Sequence, residues 1–158
     1  RELPILITWK PTVGIFKPFM AINLIIAISG CVEVASNEYA NRDQAQAMQA
    51  IGDSKWLPLW LPEDAVDIRE AHDMDTNESW LVFVPSSGAF VLPEECRKTT
   101  ELEIPDSSVM QRFPRFARAA RSRASGNAGT SYLCLEGNTN RWVMHDKELD
   151  LVYSRVKF

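Results

Sequence analysis

Hydrophobic and polar residues alternate most clearly toward the C-terminus. "SYLCLEG" (131–137), "RWVMHD" (141–146) and "LDLVYSRVKF" (149–158) are three period-two runs separated by "NTN" and "KE". Alternation broken by turn formers predicts a three-stranded antiparallel meander. Upstream, "AVDIREAH" (65–72) sets Val66, Ile68 and Glu70 against Asp67, Arg69 and Ala71. "SWLVFVP" (79–85) puts Leu81 and Phe83 on one face and Trp80 and Val82 on the other. "DMDTNE" between them is rich in turn residues, so the pair predicts a hairpin. "PSSG" (85–88) turns into "AFVL", and Pro93-Glu94-Glu95 predicts the opening of a short helix.

Helical periodicity is weaker. Asn41 followed by Gln44 resembles a capping box. Ala40, Ala47, Met48 and Ile51 form a modest apolar stripe that Gly52 stops. In "WLPLWLPEDA" (56–65), Pro58 and Pro62 forbid a helix interior and predict an extended linker whose tryptophans pack on the domain. Ser108 caps a short helix through Val109–Arg112, Pro114 interrupts it, and "RFARAARSR" continues as a basic helical turn or two. "ASGNAGTS" is a loop by composition. The sum is the α+β class: a hairpin and a C-terminal meander in an antiparallel sheet, a few helices packed on one face, and a single domain over 41–158.

Phe19–Ile28 is an apolar run interrupted only by Asn23, with Lys10 and Lys17 before it and small residues after it. It is far shorter than the roughly 20 residues of a spanning helix and has the layout of a secretion signal. Ile28-Ser29-Gly30-Cys31 resembles the bacterial lipobox. That resemblance implies a signal peptide over 1–30 that is removed, diacylglycerol on Cys31, a lipidated tether over 31–40, and a domain facing the periplasm. Val32 rather than Asp follows the cysteine, which favours the outer over the inner membrane in a Gram-negative source. With Cys31 spent on lipid in an oxidising compartment, the pair left to form a disulfide is Cys96 and Cys134.

Composition changes this picture little, and charge adds one exclusion. The 46% hydrophobic and 24% charged fractions suit an ordinary globular core. The net charge is −4, and setting aside Arg1, Glu2, Lys10 and Lys17 leaves the rest more acidic still. General nucleic-acid binding needs a basic footprint and is disfavoured.

Two clusters are candidates for chemistry. His72, Asp73, Asp75, Asn77 and Ser79 form one polar cluster, in which Asp73-x-Asp75-x-Asn77-x-Ser79 imitates half a calcium loop, but Glu78 stands where the sharp turn wants Gly and Val84 where a closing Glu belongs. A hairpin whose Asp and Asn side chains bond their own backbone is the simpler expectation. An acid–base site built on His72, Asp73, Asp75 and Asn77 is the alternative, although adjacent strand residues point to opposite faces. Arg112, Arg115, Arg118, Arg121 and Arg123 are the basic patch of an acidic chain, interleaved with Phe113, Phe116, Ala117 and Ala120. They suit lipid phosphates, an acidic partner, or a solvated face whose stems cover the aromatics.

"WLPLWLPEDAVDIREAHDMDTNESWLVF", following a lipobox and a short helix, is similar to a segment of small bacterial lipoproteins of the YbbD-head type. The resemblance spans roughly residues 41–84 and implies an envelope lipoprotein with an α+β domain. It brings no activity. The resulting expectation is a lipid-anchored, non-catalytic protein that binds an envelope or toxin partner, an immunity or inhibitor protein being one form. No cofactor or metal is expected. The alternative is a small envelope hydrolase or metal-binding protein using the His72 loop.

Overall fold

A computed structural model describes residues 34–52, 55–86, 90–100, 107–126 and 129–157. The strands are β1 (Val34–Asn41), β2 (Ala65–Asp73), β3 (Glu78–Pro85), β4 (Arg97–Lys98), β5 (Thr130–Glu136), β6 (Thr139–Asp146) and β7 (Leu151–Lys157). All pair antiparallel in one seven-stranded sheet ordered β1-β2-β3-β7-β6-β5-β4. The helices are short: α1 (Arg42–Ala47), α2 (Ser107–Met110) and α3 (Arg115–Ser125). The chain is an antiparallel sheet with helices, as the alternation predicts, but mostly β rather than an even α+β mixture.

The expectation of helices on one face is corrected. β3 is apolar in both phases, and each phase has its own core. Leu81 and Phe83 join Ile68, Val143 and Val152 beneath α1 and the segment 57–61. Trp80 and Val82 join Trp142, Met144 and Tyr153 beneath α2 and α3. A strand buried on both faces needs cover on both.

Residues 34–40, expected as tether, form most of β1. Its polar sequence hides it because it is an edge strand whose partner supplies the ladder: Val34 pairs with Asp73 and Asn41 with Val66. Asn41 does cap α1, its Oδ1 accepting from Gln44 N at 2.9 Å, while Gln44 Oε1 accepts from Ala40 N at 2.7 Å. The helix stops at Ala47, short of the expected stripe, and Gln49 adopts φ +55. Ala45 and Ile51 are buried, whereas Met48 is 62% exposed. At Pro93–Cys96 the expected helix is a single turn, closed by Cys96 N donating to Pro93 O at 3.0 Å.

β2 carries a bulge between Val66 and Arg69, with Asp67 at φ +49. The extra residue returns Ala65 and Ile68, three apart, to the same core. Two glycines are dictated by geometry. Gly137 opens the two-residue turn between β5 and β6 at φ +58, and a Cβ on Gly129 would meet the His145 carbonyl oxygen at 2.3 Å.

α3 presents Ala117, Ala120 and Ala124 to the sheet, all buried. This small-residue face lets an 11-residue helix lie close on Trp80 and Val82. Pro114 is its N-cap and Gly126 closes it, donating to Ser122 O at 3.1 Å.

Candidate functional site

The two long hairpins use the same turn. After β2, Asp73 Oδ1 accepts from Asp75 N (2.9 Å) and Thr76 N (3.3 Å), and Asn77 sits at φ +53. After β6, Asp146 Oδ1 accepts from Glu148 N (3.1 Å) and Leu149 N (3.3 Å), and Asp150 sits at φ +50. Each aspartate is fully buried, and its second oxygen meets an arginine from the opposite chain segment. Arg112 Nη1 lies 3.4 Å from Asp73 Oδ2, and Arg123 Nε donates to Asp146 Oδ2 at 2.5 Å and Nη2 to Glu148 at 2.8 Å. The Arg123 hydrogen bond holds the Asp146 carboxyl below the usual carboxylate range, and burial opposes it.

This arrangement settles how the sequence candidates are placed. Asp73 is occupied by its own turn and by Arg112, as the hairpin expectation has it. His72 lies on the other face, while Asp75 and Asn77 are exposed. The structure does not bring the four residues together. Among the described residues, no group of three or more His, Cys, Asp or Glu is placed to hold a metal ion. The arginines divide: Arg112 serves one end of the sheet and Arg123 the other, while Arg118 Nη1 donates to Phe113 O. Arg115 is exposed and Arg121 half-buried. Cys31 lies outside the described residues. Cys96 and Cys134 form a disulfide.

The face beneath segment 57–61 holds a polar cluster that the sequence reading missed. Glu70, 1% exposed, bonds His72 Nδ1 through Oε1 at 2.6 Å and accepts from Asn37 Nδ2 at Oε2, 3.0 Å. Burial pushes the Glu70 carboxyl up, against hydrogen bonds from Asn37, His72 and Ser79. The Trp56 indole stacks flat on His72, with ring centroids 4.1 Å apart. Further along, the fully buried Arg141 donates from Nε to both Glu136 oxygens at 2.9 Å and from Nη1 to Ser154 Oγ at 3.2 Å. Burial lowers its pKa while Glu136 counters. Trp60 Nε1 donates to the same Glu136 at 2.6 Å. Thus two tryptophans of the strap Trp56–Leu61 are fastened to the sheet by a histidine and a glutamate. Sequence did hold one trace: Glu70 shares the alternation phase of Val66 and Ile68, where an acid is out of place.

Beside this strap opens a cleft of about 450 Å³. Pro58, Leu59 and Trp60 wall one side, Leu135–Thr139 the other, and Pro93, Glu95 and the disulfide close the end. Leu59 and Leu135 are 59% and 55% exposed. The disulfide extends the β4–β5 ladder, where Arg97 faces Leu133 and Lys98 faces Tyr132. The chain then turns away at Pro93, so β5 is left uncovered at Leu135. The cleft is therefore a recess of mixed lining, with Leu59, Trp60 and Leu135 beside Lys55, Glu95 and Glu136.

Comparison with known proteins bears on one part of the chain. No curated protein and no solved structure matches it. Residues 33–84, which run from β1 through α1 and the tryptophan strap to the end of β3, match the family model of the YbbD head domain, and this part of the chain is YbbD-head-like.

Proposed function

We propose that the protein is a lipid-anchored, periplasm-facing envelope protein that binds a protein partner at the cleft and does no catalysis. The cleft carries this reading: it is a preformed recess of about 450 Å³ with two half-exposed leucines on its rim. Grouped exposed apolar side chains around a concave site are the usual mark of binding. The buried polar groups support the same reading, because Glu70 is engaged with His72 and Arg141 with Glu136. The lipobox at Ile28–Cys31 and the YbbD-head match support the envelope anchor. The Cys96–Cys134 bridge supports an oxidising compartment. A toxin held by an anchored immunity protein is one concrete form of the partnership.

The test is affinity capture from envelope extract under oxidising conditions, with the full chain and its Leu59→Asp/Leu135→Asp variant. A stoichiometric partner retained by the first and lost by the second supports the cleft. A partner retained equally by both, or turnover of a cell-wall or phosphoester substrate, contradicts it.

A further inference from the structure

The anchoring residue and the fold together select which end of the sheet meets the membrane. Cys31 precedes Val34 by three residues, and a chain of that length reaches at most about 11 Å. Val34 is the first residue of β1 and pairs with Asp73, the last residue of β2, so the chain enters the sheet beside the β2–β3 turn. Met74 stands at the tip of that turn and is 55% exposed. Glu78 pairs with Lys157, which brings the C-terminal end of β7 to the same edge. The opposite end carries the β6–β7 turn, about 20 Å away along a seven-residue strand.

The two ends differ in distance from Cys31, and both carry exposed charge. The near end shows Lys157 and Arg112 around Asp75, with Arg112 still about a third exposed while paired to Asp73, and the β5–β6 turn at the same end adds Glu136, paired with Arg141. The far end shows Glu148 and Asp150, 76% and 55% exposed at their side chains, with Lys147 and with Arg123, 30% exposed and paired to Asp146 and Glu148. The two ends carry similar mixtures of charge, so the length of chain from Cys31 selects the near end, where Lys157 and Arg112 are the groups that suit an anionic headgroup layer.

We infer that the β2–β3 turn is a membrane-contacting tip: Met74 enters the headgroup region of an anionic bilayer while Lys157 and Arg112 face its phosphates. The inference rests on the anchor at Cys31 from the proposed function. The amides of Asp75 and Thr76 in this turn are already satisfied by Asp73, which lowers the cost of bringing the Met74 thioether into that region. Substituting Lys157 by glutamate weakens the electrostatic part about fivefold or more.

The test uses the lipidated protein, reconstituted in phosphatidylethanolamine–phosphatidylglycerol vesicles that carry a nitroxide-labelled lipid. An environment-sensitive fluorophore is attached through Met74→Cys in one sample and Leu149→Cys in another. Both sites are exposed turn tips, so neither change disturbs the core. Quenching at position 74 with none at 149, reduced by Lys157→Glu, supports the inference. Equal quenching at both positions, or none at 74, overturns it. Mass analysis of the peptide containing Cys31 separates the two levels. A diacylglycerol-bearing chain with equal quenching overturns the orientation alone, whereas a chain without lipid overturns the anchor and the orientation together.

Discussion

Beneath α3 the sheet meets alanines and aromatic rings; beneath the Trp56–Leu61 strap it meets Glu70, His72 and Arg141. The helix side has Phe113, Met110 and three alanines on Trp80, Trp142 and Met144, with its charges pushed out to the two aspartate turns. The strap side mixes Leu57, Leu61 and Phe83 with a paired polar row and opens into the cleft. A helix covers a sheet by itself, since its backbone is internally bonded. A proline-broken strap has no continuous ladder: Leu57 bridges to the backbone of Ala50 and Gly52, and side chains do the rest, Trp56 on His72, Trp60 on Glu136, and the leucines. The difference teaches how two faces of one sheet are covered by different means. The helix face is closed by packing, and the strap face leaves a cleft beside it; the proposed function puts recognition at that cleft.

The largest break in this comparison comes from the helix face. Phe113→Ala removes a buried ring and costs about 3–5 kcal/mol, read as a lower midpoint in urea unfolding. Next is the strap-side staple. Replacing Cys96 and Cys134 together by serine, across a separation of 38 residues, costs about 2–4 kcal/mol. Proteolysis of the segment 90–96 accelerates in that variant. Asp146→Ala leaves Arg123 without its partner and two turn amides without their acceptor, and costs about 2 kcal/mol.

The smallest effect is the sharpest, because the faces respond to pH with opposite sign. The Glu70 carboxyl is raised by burial from its ordinary 4.5. Its contribution to stability is therefore complete below pH 4.5 and is lost as pH rises through the folded value. The Asp146 carboxyl is lowered from 3.8, so its contribution is present above pH 3.8 and is lost as pH falls through the folded value. Unfolding measured across acidic pH checks both. The advantage of the native chain over Glu70→Gln grows on acidification toward pH 4.5. Its advantage over Asp146→Asn shrinks below pH 3.8. Flat differences contradict the assignment.

Much of the sheet was legible in the sequence, and the reasons are local. β2, β3 and β5–β7 announce themselves by alternation, and Asn41–Gln44 announces the start of α1. β1 does not, because "VASNEYAN" is an edge strand whose polar residues face solvent and whose order comes from β2. The cover on both faces was readable in principle from the two apolar phases of β3, where each phase demands a core. The arginine run suggests one patch on a helical wheel. Its division between two ends depends on where the two turns lie, a tertiary fact. The stacking of Trp56 on His72 and the bond from Trp60 to Glu136, 76 residues apart, have no local signature at all. Only the misplaced acid at Glu70 hinted that this face held more than a core.

The most direct measurement of the division of labour places charge on each face in turn. One variant carries Leu59→Asp and Leu135→Asp on the cleft rim; another carries Arg115→Glu and Arg118→Glu on the outer side of α3. Stoichiometry of the captured envelope partner is read for both, alongside melting temperature. The account predicts that the rim variant loses the partner without losing stability and that the helix variant keeps it. Loss of the partner from the helix variant, with retention by the rim variant, contradicts it.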